Sequence, residues 1–342
     1  MGTLAVEYRP TAFEDVVGQE YTTRILAEQV KSKTFRNAYL FCGPAGTGKT
    51  TCARILAKEI NKSENGITEI DAASHNGVDD VRELISDSKL SPLYSDYKIY
   101  ILDEVHAFSN SAWQAMLKLL EEPPEKSIFI MCTTEWRKIP ETILSRVQKY
   151  VFKKISNDVV VQNLLYIYES EYGERPNDTR PFEYIAQLAN GGMRAAIQIL
   201  EKTLSLGEVT NKTITEAMGI PDYTEYLELL FSIHCNNITG CIESLNRVYE
   251  SGQDVDLFIR NFSHFLIDCG RYLIFNEWES SSMPYDESFC EDLKEYGYTS
   301  IVDILSWVIR FLDKYRGIPG LKSIFEGELM VKCQEELQSL TK

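Results

Sequence analysis

The stretch AYLFCGPAGTGKTTCARILAKEI, residues 38–60, decides the fold class of this chain. An apolar segment precedes GPAGTGKT, which fits the pattern GxxxxGK[ST], and a helical pattern begins at Lys49. Glycines in such a loop let consecutive backbone N–H groups turn toward phosphate oxygens, and the helix N-terminus adds positive potential. A nucleotide-binding loop between a strand and a helix is predicted. A glycine turn with an exposed lysine is the alternative.

Two side chains of this loop have distinct predicted roles. Lys49 is expected to reach the β and γ phosphates of the nucleotide, and the Thr50 hydroxyl is expected to bind Mg²⁺. The residues predicted to bind the nucleotide here are Gly43, Pro44, Ala45, Gly46, Thr47, Gly48, Lys49, Thr50 and Thr51.

The segment KIYILDEVH, residues 98–106, supplies two carboxylates at the end of an apolar strand. Ligands of open parallel sheets bind at this end of the strands. Asp103 is predicted to hold Mg²⁺ through water, and Glu104 to polarise the attacking water as a general base. Adjacent carboxylates also serve simply to solvate a loop, but the phosphate loop earlier in the chain favours nucleotide hydrolysis.

Two later polar residues fit the same site. Thr134 ends the apolar segment SIFIMCTT, and its hydroxyl could bridge the attacking water and the γ-phosphate; an ordinary strand-end threonine is the alternative. Arg194 follows NGGM at the start of a helix, where the helix dipole disfavours a cation. An anion nearby would explain this placement, so Arg194 is predicted to contact the γ-phosphate.

Apolar segments alternate with helical patterns in the first half of the chain, which is typical of a parallel sheet with helices on both faces. We therefore predict an α/β domain at residues 1–155, with strands too apolar to leave a face in water. Later residues have helical periodicity, which predicts a small helical domain at 156–220 and an all-α domain at 221–342. The segment NEWESSSMPYDES, residues 276–288, is predicted to be a long loop.

The charge of the chain is unevenly distributed. Residues 1–155 carry 20 Lys and Arg against 21 Asp and Glu, whereas residues 156–342 carry 15 against 30. A local basic face toward DNA is therefore compatible with the first half, and the acidic second half is a poor surface for DNA. The eight cysteines have no zinc-ligand spacing, which favours buried free thiols, and no signal peptide or membrane span is indicated.

Together these motifs resemble those of an AAA+ ATPase. A closer resemblance is to the gamma/tau family of subunits of the bacterial DNA polymerase III clamp loader, and it covers most of residues 7–152. Beyond these residues the chain is similar in layout only, apart from GGMRAAIQILEK. The blocks that carry the resemblance are YRPTAFEDVVGQE, AYLFCGPAGTGKTTCARILAKEI, EIDAASHNGVDDVREL, YKIYILDEVHAFSNSAWQAMLKLLEEPPE and TTEWRKIPETILSRVQKY.

The resemblance implies an ATPase that uses ATP and Mg²⁺ and is associated with the DNA polymerase holoenzyme. Such a protein opens a sliding clamp, places it on primer-template DNA and hydrolyses ATP to release it. The resemblance also implies a pentameric ring with other clamp loader subunits, in which residues 156–220 form a lid and residues 221–342 a collar. The implied location is the cytoplasm of a bacterium, or of the host if the chain is phage-encoded, with no membrane partner.

The resemblance assigns further residues. Those expected around the adenine and ribose are Arg9, Pro10, Val17 and Gly18, and those expected to face the DNA backbone are Ser74, His75 and Asn76. Arg146 corresponds to the arginine of the family's SRC motif, which reads SRV here. It is expected to act in trans, by completing the ATP site of a neighbouring subunit.

Two departures from the family pattern suggest a reduced form. The family usually carries a four-cysteine zinc module before the EIDAAS strand, whereas EINKSENGITEIDAAS runs through without a cysteine, so no zinc is expected. The long form of the family also extends well past Lys342, which puts the tethering of helicase and polymerase in doubt. A phage-encoded origin is one explanation of both departures.

Two other functions compete with a hydrolysing clamp loader subunit. One is a nucleotide-gated scaffold subunit that does not hydrolyse ATP; the presence of Lys49 and Glu104 disfavours it. The other is an AAA+ Holliday-junction branch-migration motor, which is expected to end in a winged DNA-binding domain with a β-hairpin. Residues 221–342 have no hairpin pattern and are acidic, which disfavours the motor.

Overall fold

The computed structural model describes residues 3–220, 223–275, 293–294 and 297–340. The chain divides into two compact units. Unit 1 comprises Met1–Asn177 and Ala189–Gln198, and unit 2 comprises Asp178–Leu188 and Ile199–Lys342. The structure divides into two units, whereas three domains are expected from the sequence. The expected boundaries at 155 and 220 stay a prediction.

Unit 1 is built on a parallel five-stranded sheet. The spatial order is β2-β3-β4-β1-β5, so β1 lies between β4 and β5, and β3 lies next to β4. The ends of β1, β3 and β4 therefore meet at one edge of the sheet. The strands are β1 (Ala38–Cys42), β2 (Ile67–Asp71), β3 (Lys98–Asp103), β4 (Ser127–Thr133) and β5 (Gln148–Val151).

Nine helices with residues in unit 1 precede or follow these strands in the described chain. They are α1 (Leu4–Glu7), α2 (Glu20–Ser32), α3 (Lys49–Asn61), α4 (Val78–Ser88), α5 (Asn110–Glu121), α6 (Glu141–Leu144), α7 (Asn157–Tyr172), α8 (Arg180–Ala189) and α9 (Met193–Leu206). The division between the units falls within α8 and α9.

Alternate residues of the central strands pack on opposite faces of the sheet, as expected for a sheet covered on both sides. Tyr39 and Phe41 belong to a core that includes Leu56 of α3. Leu40 belongs to a second core that includes Trp113 of α5. These two cores confirm the α/β layering.

The edge strand β2 departs from the expectation that every strand is buried on both faces. Thr68, Glu69 and Asp71 are exposed, because β2 pairs only with β3 and its outer side lacks a neighbouring strand among the described residues. The segment ITEID contains three polar residues, but only the strand order shows that β2 lies at the edge of the sheet. The connection from α3 to β2 is short, since α3 ends at Asn61 and β2 begins at Ile67.

All regular secondary structure in the described part of unit 2 is helical. Its core contains stacked aromatic rings, with the Tyr226 and Phe258 centroids 4.6 Å apart and those of Tyr226 and Phe265 5.6 Å apart. Its further helices are α10 (Asn211–Met218), α11 (Tyr223–His234), α12 (Ile238–Glu250), α13 (Val255–Phe275), α14 (Tyr298–Lys314) and α15 (Leu321–Leu340). The predicted loop 276–288 lies outside the described residues.

The cysteines that the structure describes are free thiols, as the sequence predicts, but one prediction of burial is wrong. Cys235 is exposed just after the end of α11, and Cys290 lies outside the described residues. The buried thiols are Cys42, Cys52, Cys132, Cys241, Cys269 and Cys333. None of the described helices combines the length and the apolar character that a membrane crossing requires.

Candidate nucleotide site

The phosphate loop, residues 43–48, begins directly after β1 at Gly43, where the neighbouring backbone leaves no room for a side chain. The Gly43 N–H donates to the Thr133 carbonyl oxygen (3.2 Å). A Cβ atom at Gly43 would lie 2.2 Å from the Phe152 carbonyl oxygen, well inside van der Waals contact. At the other end of the loop Gly48 has φ 98°, a conformation that favours glycine, and α3 begins directly after it.

Lys49 is almost fully buried beneath this loop. Its ammonium nitrogen donates to the carbonyl oxygens of Gly43 (2.9 Å) and Pro44 (2.8 Å). Burial lowers the pKa of Lys49 from its ordinary value, and the nearby Glu104 carboxylate opposes that shift. A buried cation whose described hydrogen bonds are all to loop carbonyls is chemically suited to the oxygens of a phosphate.

Thr50 and Asp103 form the oxygen pair that the sequence predicts for Mg²⁺. The Thr50 hydroxyl donates to Asp103 Oδ2 (2.7 Å), and the Glu104 N–H donates to Asp103 Oδ1 (3.0 Å). Asp103 ends β3 and Thr50 lies in the first turn of α3, so the sheet edge brings them together. A hydroxyl and a carboxylate are hard oxygen ligands, and this donor set fits Mg²⁺.

Glu104 is held by the neighbouring strand. Its backbone is in the left-handed region, with φ 49° and ψ 43°, which is uncommon for a residue other than glycine. Its Oε2 atom accepts hydrogen bonds from the Thr134 N–H (3.3 Å) and the Thr134 hydroxyl (3.1 Å). The two residues predicted to handle the attacking water are therefore in direct contact.

His106 also contacts this pair, and the sequence analysis missed it. Its Nδ1 atom lies 3.2 Å from Thr133 Oγ1 and 3.2 Å from Glu104 Oε2. Its Nε2 atom lies 3.3 Å from Glu135 Oε1. The signal was available in KIYILDEVH, where a titratable side chain stands two residues after the predicted general base.

A cavity of about 1030 Å³ gathers most of the predicted nucleotide site within unit 1. Its walls come from the N-terminal segment, the phosphate loop, the end of β3, α7 and the start of α9. The predicted residues that line it are Arg9, Pro10, Val17, Ala45, Gly46, Thr47, Gly48, Lys49, Thr50, Thr51, Asp103, Glu104 and Arg194. The predicted residues that do not line it are Gly18, Gly43, Pro44, Thr134, Arg146, Ser74, His75 and Asn76.

Arg194 lies beside the phosphate loop. A Cβ atom at Gly46 would lie 3.3 Å from the Gly192 Cα atom and 3.5 Å from the Arg194 Cβ atom, so the start of α9 approaches the loop closely. The Arg194 side chain is exposed and forms no ion pair with any residue that the structure describes. A cation at this position, lining the same cavity as buried Lys49, suits an anionic ligand.

The N-terminal segment is fixed to α7 on the side of the cavity where the base is expected. The Tyr8 hydroxyl donates to Glu171 Oε1 (2.6 Å), and the Tyr8 and Tyr166 rings meet edge to face at 6.5 Å. The hydrogen bond to Glu171 raises the pKa of Tyr8 to about 12. Gly18, which follows Val17, donates its N–H to Glu20 Oε1 (2.8 Å).

The remaining predicted residues lie on the surface away from the cavity. Arg146 is paired with Glu121 Oε1 (2.8 Å) and donates to the Thr142 carbonyl oxygen (2.7 Å). The exposed loop 74–76 follows β2, and the Asn76 carbonyl oxygen accepts the Ser109 N–H (3.1 Å). Arg146 and residues 74–76 therefore neither line the cavity nor pack in the core.

The sheet order, the phosphate loop and the helices that follow define the class: the chain is a P-loop protein with an AAA+ fold. The Thermotoga maritima RuvB Holliday junction branch migration motor has a similar fold, with a TM-score of 0.51 and 18% sequence identity. The match covers 73% of this chain and 87% of the motor. At that identity the likeness concerns the fold alone.

Sequence comparison shows which proteins of this class the chain is similar to. The chain is 34% identical to DNA polymerase III subunit tau of Bacillus subtilis, over 97% of this chain and 63% of the relative. It is 33% identical to DNA polymerase III subunit tau/gamma of Haemophilus influenzae, over 74% of this chain and 40% of the relative. A family model described as "DNA polymerase III, delta subunit" matches residues 67–156. The chain is a homologue of the tau and gamma/tau subunits of DNA polymerase III.

The chain spans less than two thirds of the length of these relatives. The alignment with the Bacillus subtilis subunit extends over 359 positions, more than the 342 residues of the chain. The relative therefore has residues without a counterpart in this chain, and the reduced form stays a prediction.

Proposed function

We propose that this chain is an ATP-hydrolysing subunit of a clamp loader, which opens a sliding clamp and loads it onto primer-template DNA during replication. The observation that carries the proposal is the convergence of Lys49, the Thr50–Asp103 pair and the Glu104–Thr134 pair at one sheet edge, in a homologue of gamma/tau subunits. The likeness to gamma/tau subunits supports the loading activity, and the geometry of the site supports the ATPase chemistry.

In this proposal Lys49 exchanges its two loop carbonyls for phosphate oxygens when ATP binds. The exchange keeps a buried cation hydrogen-bonded while it neutralises charge on the β and γ phosphates. Thr50 would hold Mg²⁺ directly and Asp103 through water, and the ion would supply further neutralisation of phosphate charge. Arg9, Pro10 and Val17 surround the adenine and ribose.

Hydrolysis depends on Glu104 as general base for the attacking water. Because Thr134 binds Glu104 Oε2, the same threonine can orient the carboxylate and contact the water. Arg194 meets charge on the γ-phosphate from the lid side. Two arginines then share the transition-state charge, since Arg146 of one subunit completes the site of its neighbour.

The proposal includes a pentameric ring with other clamp loader subunits, assembled in the cytoplasm through the collar, residues 221–342. In that ring Ser74, His75 and Asn76 face the DNA backbone; their exposure on one loop supports this assignment. A scaffold that does not hydrolyse ATP is disfavoured because both Lys49 and Glu104 are present and placed at the cavity. The likeness to RuvB does not favour a junction motor, because such a motor is expected to end in a domain with a β-hairpin. The described residues from 156 onward contain helices and no strand.

The test is the ATPase rate of the chain assembled with its partner subunits, measured with and without sliding clamp and primed DNA. Stimulation by clamp and DNA together is expected, and Lys49→Ala should abolish it. A wild-type complex whose rate does not respond to clamp or DNA would contradict the loader function.

A further inference from the structure

His106 lies directly behind the proposed general base. It belongs to a 3₁₀ turn, Val105–Ala107, that follows β3, and its side chain is only 19% exposed. Its ring reaches the end of β4, where Nδ1 lies 3.2 Å from Thr133 Oγ1. A histidine enclosed in this way has little freedom to leave Glu104.

The two ring nitrogens of His106 face two different carboxylates. Nδ1 lies 3.2 Å from Glu104 Oε2, and Nε2 lies 3.3 Å from Glu135 Oε1. A carboxylate oxygen only accepts hydrogen bonds, so the contact with Glu104 is attractive when Nδ1 carries the proton. The Glu135 carboxylate is paired with Lys138 (2.9 Å), and the Glu135 N–H donates to Thr133 Oγ1 (3.0 Å). These contacts hold Glu135 against the Nε2 side of the ring.

All of these contacts fall on one oxygen of Glu104. The Thr134 N–H, the Thr134 hydroxyl and the imidazole of His106 each approach Oε2. Among the residues that the structure describes, no hydrogen-bond donor contacts Oε1. The arrangement therefore leaves one lobe of the carboxylate free to face the cavity, where a water could be activated.

We infer that His106 is a positioning residue for ATP hydrolysis: its Nδ1 side holds Glu104 Oε2 so that Oε1 faces the attacking water. This inference rests on the proposed function, because it requires that Glu104 act on water. It predicts that His106 affects the hydrolysis step and leaves ATP binding unchanged, because His106 does not line the cavity that binds the nucleotide.

Three substitutions separate the two sides of the ring. Asparagine places an amide near the Nδ1 position, glutamine places one near the Nε2 position, and leucine removes both. In the assembled complex, His106→Leu and His106→Gln should lower the single-turnover hydrolysis rate about tenfold to hundredfold, the range for losing a close polar contact with a charged group. His106→Asn should keep most of the rate, and the Kd of ATP should stay within about twofold in all three.

His264→Gln is the matched control, since His264 is exposed on α13 of unit 2 and belongs to no part of the site. It should hydrolyse ATP at the wild-type rate. An equal loss in all three His106 variants would indicate packing and overturn the inference, as would a wild-type rate in His106→Leu.

A second measurement asks whether His106 acts through Glu104. In a Glu104→Gln background, His106→Leu should cause no further loss of rate, because the carboxylate that it positions is already absent. A further tenfold loss there would overturn the inference. Failure of the proposed function is distinguishable, since the wild-type complex would then fail to hydrolyse ATP or to respond to clamp and DNA. Failure of the inference alone leaves both properties of the wild type intact.

Discussion

At the scale of single residues, the site depends on two neighbouring threonines with different partners. Thr133 Oγ1 contacts His106, and Thr134 Oγ1 contacts Glu104 Oε2. β4 ends at Thr133, so the two side chains leave the strand in different directions. The sequence predicted Thr134 from its position after an apolar run. It also places His106 two residues after Glu104, but the contacts of His106 with Thr133 and Glu135 arise only because β3 and β4 are adjacent in the sheet.

Glu104→Gln should separate ATP binding from hydrolysis. The amide is nearly isosteric and can still contact Thr134, but it cannot take a proton from water. The hydrolysis rate should fall by about 10² to 10⁴ while the Kd of ATP changes little. Rapid-quench measurement of ATP cleavage, together with equilibrium nucleotide binding, checks this. Hydrolysis within about twofold of wild type would exclude Glu104 as the general base.

Thr50→Val should weaken the dependence of the site on Mg²⁺. Valine keeps the shape of threonine but removes the hydroxyl that donates to Asp103 Oδ2 (2.7 Å). The Mg²⁺ concentration needed for half-maximal ATPase should rise about tenfold, since one of two protein ligands is lost. A magnesium titration of the ATPase rate measures this. An unchanged midpoint would remove Thr50 from the metal site.

At the scale of elements, the phosphate loop is placed by the strand that precedes it and by a neighbouring backbone. β1 is fully buried, and the segment just past β5 brings the Phe152 carbonyl oxygen against Gly43. The alternation of apolar segments and helical patterns predicted β1, β2, β3 and β4 in their places, because buried parallel strands have a strong sequence pattern. It did not predict the exposure of β2. That exposure depends on the order of strands in the sheet, which places β2 at the edge.

Two helices of unit 2 have a weak sequence pattern. α10 has only eight residues, and α15 carries the exposed apolar residues Met330 and Val331 beside its buried ones. Short or evenly patterned helices give a weak periodic signal, and their stability comes from packing in the unit that surrounds them.

Gly43→Ala tests the fit of the loop to that backbone. The added Cβ atom would lie 2.2 Å from the Phe152 carbonyl oxygen, so the loop or the segment after β5 must move. We expect the free energy of unfolding to fall by about 2 to 4 kcal/mol and ATP affinity to fall with it. Thermal or urea unfolding measures the first effect.

Gly173→Ala is the control for this prediction. Gly173 has φ 78° at the end of α7, but nothing lies within 4 Å of an added Cβ atom. It should lose only about 1 kcal/mol of stability, and ATP affinity should be unchanged. Equal losses at both glycines would mean that backbone conformation alone, and not the contact with Phe152, sets the requirement at Gly43.

At the scale of the whole molecule, the proposal requires a site that one chain does not complete. Arg146 is paired with Glu121 on the surface and does not line the cavity of its own unit 1, which suits an arginine that serves a neighbouring subunit. The family resemblance supplied this expectation, because no pattern within one sequence specifies where a second subunit lies. The acidic charge of residues 156–342 disfavours contact with DNA, so the proposal places DNA contacts in the first half of the chain.

Mixing two inactive variants tests the role of Arg146 in trans. Lys49→Ala subunits cannot hold ATP but keep the arginine, and Arg146→Ala subunits bind ATP but lack it. Each alone should be inactive, and a mixture should recover part of the ATPase rate, because some interfaces then pair an intact ATP site with an intact arginine. No recovery in mixtures that assemble normally would place Arg146 outside the neighbouring site.

The most direct measurement of the central claim is the loading of a labelled sliding clamp onto primed DNA whose ends are blocked. The complex that contains this chain should load the clamp in the presence of ATP and Mg²⁺, and the complex with Lys49→Ala should load little or none. Loading that is equally efficient with Lys49→Ala, or no loading by the wild-type complex under conditions where it binds both clamp and DNA, would contradict the account.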